Sequence, residues 1–377
     1  MDKALRNKTA IVGVAHTKMV RKTDRSLGGF AAEAALNAIR DAGLTPADID
    51  GYAGNPFAHN PTAQHWDGVD EISGQYMAST LGLTRLRWLM DMARGLSSDS
   101  IVEAINALSN GTCTHVLVVR AMRQPAGVRY ARTESPVAGG PSQFSAPYGL
   151  DLGIGPTALW LNRYMHEYGA TKRDLYQVAK TLREHAQLNP CAYWQTPLTE
   201  EEYLGSPAIF EPMCRFDCDI PVTGAAAVVL TTAERATHLA QKPAYISGLA
   251  TEWEAPDAVY KASGIGPGEI QAAQLYDGFL PGVWYWLEKL QFCAKGEAHR
   301  FALNGNIGLG GKLPVNTFGG SVSEGRLNGL GHVCEGALQV MHRAGPRQVP
   351  GLSTCLVSLG FKFVGAHGSA LILTSGQ

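Results

Sequence analysis

Short apolar runs alternate with stretches whose apolar residues recur at helical spacing, and this alternation restricts the chain to an α/β fold. Thr9-Ala10-Ile11-Val12-Gly13-Val14 is an apolar run broken by glycine. Residues 27–42 carry apolar side chains at helical spacing, and Gly43 follows as a C-terminal stop. A turn, Thr45-Pro46-Ala47-Asp48-Ile49-Asp50, comes next. Residues 99–108 read as a helix ending near Gly111, and 115–119 as a buried strand. The β-α-β order predicts a largely parallel sheet. Helices are expected over 157–168, 172–187 and 282–289, and strands over 225–231, 243–248, 353–359 and 369–374. Val283-Trp284-Tyr285-Trp286-Leu287 is apolar or aromatic on every face, so its helix is buried or lies at an interface. Residues 120–153 are rich in Gly, Pro and Ser without periodicity and read as a long functional loop. The polar stretch near 233–242 marks a boundary between an N-terminal half, 1–240 with its loop region 120–210, and a C-terminal half, 241–377. No close sequence repeat links the two.

A length of 377 residues, 45% apolar and 17% charged, is enough for a large core and excludes global disorder. The formal net charge of −1 gives no reason to expect a nucleic-acid or membrane surface. No apolar run approaches the ~20 residues that span a bilayer, and no signal-peptide apolar region opens the chain. A cytoplasmic protein is therefore expected. Seven scattered cysteines, an odd number, argue against a disulfide framework. Cys214 and Cys218 lack a second Cys/His pair at zinc-like spacing, so no metal centre is expected.

Chemistry concentrates in Gly319-Gly320-Ser321-Val322-Ser323-Glu324-Gly325 and in Gly331-His332-Val333-Cys334-Glu335. Paired glycines permit a positive φ or a close backbone approach. His332 opens an apolar helical segment, where the positive end of the helix dipole disfavours imidazolium. It is thus expected to be a neutral donor or base near pH 7.

Asn316, Gly319-Gly320 and Gly331-His332 together resemble the asparagine, paired-glycine and Gly-His segment of thiolase-fold enzymes, which bind acyl-CoA thioesters. Other segments are similar in order and spacing to the lipid-transfer-protein and sterol-carrier-protein branch of that superfamily. They are Ala10-Ile11-Val12-Gly13-Val14-Ala15-His16-Thr17; Tyr168-Gly169 with His185-Ala186 and Asn189-Pro190; Gly224-Ala225-Ala226-Ala227, with Thr223 where the family has aspartate; and Leu275-Tyr276-Asp277-Gly278-Phe279. The resemblance covers the chain from Thr9 to Leu373. It implies a thiolase fold, two similar βαβαβαββ halves in a five-layered α-β-α-β-α body, and a homodimer.

The departures are informative. The turn that carries the nucleophilic cysteine in thiolases reads Asp91-Met92-Ala93-Arg94-Gly95-Leu96-Ser97-Ser98, and the second cysteine segment reads Val357-Ser358-Leu359-Gly360. Claisen cleavage needs a thiolate to hold the acyl group. Ser97 remains as a substrate-binding residue or a helix cap. A cysteine-less subgroup resembles the lipid-transfer-protein aldolases, with Val322-Ser323-Glu324, Asn328-Gly329, His332 and Glu335 fitting its pattern. The implied activity is retro-aldol cleavage of a β-hydroxyacyl-CoA, as on steroid side chains. The implied assembly is a heterotetramer with a DUF35-type OB-fold/zinc-ribbon subunit. No cofactor is implied beyond the CoA of the substrate.

In that reading His332 donates to the thioester oxygen or enolate, Tyr276 exchanges a proton with the β-hydroxyl, and Asp277 orients either group. Gly319, Gly320 and Asn316 line the thioester end. Arg326 stands where the aldolases have a second tyrosine. Arginine cannot act as a base but can bind an oxyanion or carboxylate bidentately, so a substrate with an extra anionic group is one expectation. Two alternatives stay open: a thiolase using Cys334, and a non-catalytic acyl-CoA or lipid binder.

Overall fold

The structure is a computed structural model that describes residues 5–56, 72–92, 97–123, 143–150, 153–251, 257–360 and 368–376. Its strands are β1 (Thr9–His16), β2 (Gly51–Gly54), β3 (Trp88–Asp91), β4 (His115–Met122), β5 (Ala208–Phe210), β6 (Met213–Cys214), β7 (Gly224–Thr232), β8 (Ala244–Thr251), β9 (Ala272–Gln274), β10 (Thr354–Leu359) and β11 (Ser369–Thr374). The helices are α1 (Leu27–Asp41), α2 (Gly74–Leu81), α3 (Ser97–Ser109), α4 (Ile154–Tyr168), α5 (Lys172–Gln187), α6 (Glu200–Leu204), α7 (Ala233–Ala236), α8 (Ala258–Ser263), α9 (Gly282–Lys289), α10 (Ala298–Phe301), α11 (Gly320–Ser323) and α12 (Leu330–Val340). No described helix is long and apolar enough to cross a membrane.

Nine strands run in the order β3-β2-β4-β7-β1-β8-β11-β10-β9, and β5-β6 form a separate ribbon. The expectation of a largely parallel sheet is corrected here. β2 is parallel to β3 and β4, and β9 to β10; β7 is antiparallel to β4 and β1, β11 to β10 and β8, and β1 to β8. A fully buried strand reads as a continuous apolar run whichever way its neighbour points, so hydrophobicity alone does not reveal strand sense.

The pairings contain a repeat. β1, β7, β4, β2 and β3 lie side by side in that order, and β8, β11, β10 and β9 repeat it with the same senses. A parallel bridge from Val315 to Ala273 stands where β3 stands in the first set. α1 and α8 follow the first strand of each set, and α3 and α12 precede the equivalent strands β4 and β10. The sets meet through two described pairs, Ala10↔Tyr245 and Ile11↔Ala244.

Side-chain alternation builds the layers. Ala10, Val12, Leu117 and Val229 face α1 and α2. Ile11, Val118, Val228, Val357 and Leu371 face inward, onto Ile101 and Ile105 of α3 and Val333 and Ala337 of α12. Leu356, Ala370 and Ile372 face the other way, onto α8, α9, α4 and α5. The result is α-β-α-β-α. Trp284 and Trp286 of α9 are fully buried in the last of these clusters, so this helix belongs to the core.

Candidate active site

The parallel strands β9 and β10 end side by side, and the chain leaving β9 carries Leu275, Tyr276 and Asp277. Its path is fixed by Asn316, whose Oδ1 accepts the Leu275 N–H at 2.6 Å and whose Nδ2 donates to the Leu275 carbonyl at 2.7 Å. The Tyr276 N–H donates to Ser358 Oγ at 3.0 Å. Asn316 therefore spends its amide on the backbone behind the site.

Asp277 is fully buried. Its Oδ1 accepts from the Ser321 N–H at 2.8 Å and its Oδ2 from the Val322 N–H at 3.3 Å, both in α11. His332 Nε2 lies 2.9 Å from Asp277 Oδ1. A carboxylate flanked by backbone donors accepts, so Nε2 donates the proton of this bond. The His332 ring packs edge-on to Phe318 and tilted against Tyr276, with centroids 5.0 and 5.6 Å apart.

The two glycines of the sequence motif take positive φ, +106° at Gly319 and +65° at Gly320. A Cβ on Gly319 would lie 2.6 Å from Ala186 Cβ, and one on Gly320 would lie 2.1 Å from Asp277 Oδ2. What these backbones approach closely is the protein itself, because α5 and Asp277 fill the space beside them. The requirement for glycine was legible, but the partner was not.

Tyr276 is buried, with its phenol over Gly278: a Cβ there would meet the hydroxyl at 2.8 Å. The Gly278 carbonyl accepts from the Asp219 N–H at 3.1 Å. Asp219, which the sequence did not single out, is buried and lies 3.4 Å from Arg326 Nε. Arg326 Nε also donates to Asn328 Oδ1 at 2.9 Å, and its own N–H to the Ile220 carbonyl at 3.3 Å. Arg120, near the end of β4, is a second buried guanidinium bonded to the Asn55 carbonyl and Oδ1. Burial pushes the Tyr276 phenol up; Arg326 and Arg120 pull it back, and Asp219 and Asp277 push it further. Burial and Arg326 together bring Arg120 down to about 9. Asp219 and Arg120 lie 57 and 156 residues from Tyr276 in sequence, and no local pattern marks such partners.

Ser97 begins α3, but its side chain, like residues 93–96 of the same turn, lies outside the described residues. So does most of the loop expected over 120–153. The cysteines are all free. Cys334 is fully buried, and burial together with Glu324 and Glu335 pushes its thiol well above the ordinary range. Burial also pushes Cys113, Cys293 and Cys355 up to about 12 and Cys191 to about 11. It raises Cys214 and Cys218 too. No thiol here has the depressed pKa that a nucleophilic cysteine needs. Glu335 is taken by Arg347, Thr317 and Gln339, and Glu324 by Asn189 and His16.

This layered fold, with a histidine–carboxylate pair and a tyrosine at the ends of two parallel strands and no activated thiol, defines a thiolase-fold enzyme of the carbon–carbon lyase type. Residues 232–374 match the family model "Thiolase C-terminal domain-like". The chain is 33% identical to the 17-hydroxy-3-oxo-4-pregnene-20-carboxyl-CoA lyase of Mycobacterium tuberculosis, over 98% of this chain and 100% of that one. It is also 33% identical to the steroid side-chain-cleaving aldolase of Thermomonospora curvata, over 97% of each. The solved Ltp2-ChsH2(DUF35) aldolase matches with a TM-score of 0.86 at 32% identity, over 98% of both chains. The chain belongs to this family of thiolase-like aldolases.

Proposed function

We propose that the chain cleaves a β-hydroxyacyl-CoA thioester by a retro-aldol reaction, with a steroid or similar side chain as substrate. In that reaction the β-hydroxyl loses its proton, the Cα–Cβ bond breaks and a ketone or aldehyde leaves from Cβ. The bond's electrons form the thioester enolate, which is protonated at Cα to give the shortened acyl-CoA. The observation that carries the reading is that Tyr276 and the His332–Asp277 pair meet in one buried cluster where no cysteine is activated.

Each residue has a role in this scheme. Tyr276, with its pKa raised by burial, rests as a neutral phenol. To take the β-hydroxyl proton it must hand on its own, and the carboxylates acting on it are Asp219 and Asp277. His332, held by Asp277 through Nε2, stabilises the thioester enolate by donating from its other ring nitrogen. Gly319, Gly320 and Asn316 act by holding Asp277 and the chain after β9 in place. CoA enters as part of the substrate.

The proposal extends to assembly: a cytoplasmic homodimer within a heterotetramer with a DUF35-type OB-fold/zinc-ribbon subunit. The structural neighbour named for a DUF35 complex supports the partner. The outer edge of β3, unpaired among the described residues and carrying the 40%-exposed Leu89, supports the dimer.

The test is to incubate the chain, with and without a co-expressed DUF35-type subunit, with a β-hydroxyacyl-CoA bearing a branched or steroid side chain. Mass spectrometry then follows the carbonyl product and the shortened acyl-CoA. Cleavage is expected, reduced at least 100-fold in Tyr276→Phe. Turnover of a β-ketoacyl-CoA with free CoA, and none of the β-hydroxy compound, would overturn the proposal in favour of thiolase chemistry.

A further inference from the structure

The backbone N–H groups that hold Asp277 belong to α11, and α11 is itself fastened at its far end. The Ser323 and Glu324 carbonyls accept from the Trp194 and Tyr193 N–H groups at 3.1 and 2.9 Å, in the segment that follows α5. The Glu324 side chain is fully buried. Its Oε1 lies 3.1 Å from His16 Nδ1, at the end of β1, and accepts from Asn189 Nδ2 at 2.9 Å. The same Asn189 amide donates to the Phe318 carbonyl at 3.0 Å, and the Phe318 ring meets His332 edge-on. The other oxygen, Oε2, is buried without a hydrogen-bond partner and lies against Gly331, where a Cβ would be 2.9 Å from it. Gly331 is the residue before His332. One carboxylate thus touches both the end of the segment that holds Asp277 and the start of the helix that carries His332. Among the described residues its ion-pair partner is His16. The other titratable groups around the pair are Glu335 and Arg347, which bond each other, and Cys191 and Cys334, whose thiols burial pushes up. Loss of the His16 proton would leave Glu324 a buried carboxylate without a cation. Such a charge is relieved by taking up a proton or by moving, and either change acts on Gly331 and the end of α11.

We propose that Glu324, held by protonated His16, is a positioning residue for the His332–Asp277 pair, and that cleavage weakens when His16 loses its proton. The inference deepens the lyase reading of the same site and rests on it. Both residues act through the groups they hold, and neither takes part in a chemical step. Burial lowers the His16 pKa and Glu324 raises it by more. The positioning is therefore complete below about pH 6.5 and is lost as pH rises through the raised value.

The test compares wild type, His16→Gln and the double variant His16→Gln/Glu324→Gln, each co-expressed with the DUF35-type subunit, from pH 6 to 9. The single variant strands the carboxylate at every pH, whereas the double variant replaces it with a neutral group of the same shape. His16→Gln is expected to lower kcat roughly 10-fold at pH 6 with KM little changed, the scale of a small misplacement at a reacting site. The double variant is expected to regain most of that loss. The ratio of wild-type to double-variant kcat should fall as pH rises, while limbs common to both cancel. Circular dichroism at each pH reports folding. A second readout needs no turnover: the His332 Nε2 proton, bonded to Asp277, is followed as a downfield proton resonance, identified by its loss in His332→Gln. Its shift should follow the His16 titration in the wild type and stay constant in the double variant. Equal impairment of the two variants, a kcat ratio that is flat with pH, or a resonance that behaves alike in wild type and double variant would overturn the proposal. No cleavage by any of the three, with the resonance moving as expected, would sink the lyase reading alone.

Discussion

At the scale of single residues, the site depends on how closely protein packs on protein. Gly320 leaves Asp277 Oδ2 no room for a Cβ, at 2.1 Å, and its φ of +65° strains any L side chain. Gly320→Ala is therefore expected to cost about 1–3 kcal/mol of stability for the backbone conformation alone. Because Asp277, which bonds His332, must also shift, activity should fall further than the lost stability explains. Thermal melts and kcat measured on the same preparation separate the two effects. The cysteines make an independent residue-scale test. Every thiol is pushed up by burial, so little thiolate exists near neutral pH. Iodoacetamide at pH 7.5 is expected to leave cleavage unchanged over the time in which it inactivates a cysteine-dependent thiolase. Rapid loss of cleavage, with Cys334 carboxymethylated, would point to a catalytic thiol.

Between the elements, two ion pairs fasten α12 and the end of α11 to the rest of the fold. Glu335 of α12 meets Arg347 at 3.0 Å, with both side chains buried. Removing one partner strands a charge in the core, so Arg347→Ala is expected to cost about 3–5 kcal/mol in denaturant titration. Just after α11, Glu324 meets His16 from the end of β1 at 3.1 Å. Burial alone would lower the His16 pKa, but the bond and charge of Glu324 outweigh it and raise it above 6.5. Protonated His16 thus stabilises the fold fully below about pH 6.5, and that contribution is lost as pH rises through the raised value. Between pH 6 and 9 the wild-type melting temperature should fall more than that of His16→Gln; parallel curves would mean that the pair does not titrate in this range. Of all this, the Gly-His start of α12 and the Tyr-Asp after β9 were legible, because each is a local pattern. The partners Asp219, Arg120 and His16 were not, since they arrive from distant segments, and hydrophobic periodicity records burial without recording what lies opposite. One signal was present and missed. Thr45-Pro46-Ala47-Asp48-Ile49 and Gly266-Pro267-Gly268-Glu269-Ile270 are matching turns. Each begins with proline in its first turn and has an acid reaching back to the N-cap backbone, just before β2 and β9. They are the visible trace of the structural repeat.

For the whole molecule, the repeat raises the question of whether either half can stand alone. The strand sets join through only two described residue pairs, so hydrogen bonding between them is slight. The central layer tells otherwise. Val333 and Ala337 of α12 share one apolar cluster with Ile11 of β1 and Val228 of β7, as well as with Val357 of β10. The outer face of the second set is covered in part by α4 and α5, which belong to the long excursion between β4 and β7: Leu161, Tyr164 and Leu175 pack in one cluster with Val283 and Trp284 of α9. A fragment of residues 241–377 would therefore expose one side of α12 and part of the face under α9 and β11. Exposed apolar area at about 25 cal/mol per Å² outweighs the few kcal/mol by which domains are stable. That fragment is expected to be compact but loosely packed, binding 8-anilinonaphthalene-1-sulfonate and giving poorly dispersed amide resonances. The intact chain should instead unfold in one transition, with calorimetric and van't Hoff enthalpies in agreement. A well-dispersed spectrum from the fragment, or two transitions in the intact chain, would mean that the halves are separate folding units. The site would then be assembled by docking them, because Arg120 comes from one half and Tyr276, Arg326 and His332 from the other.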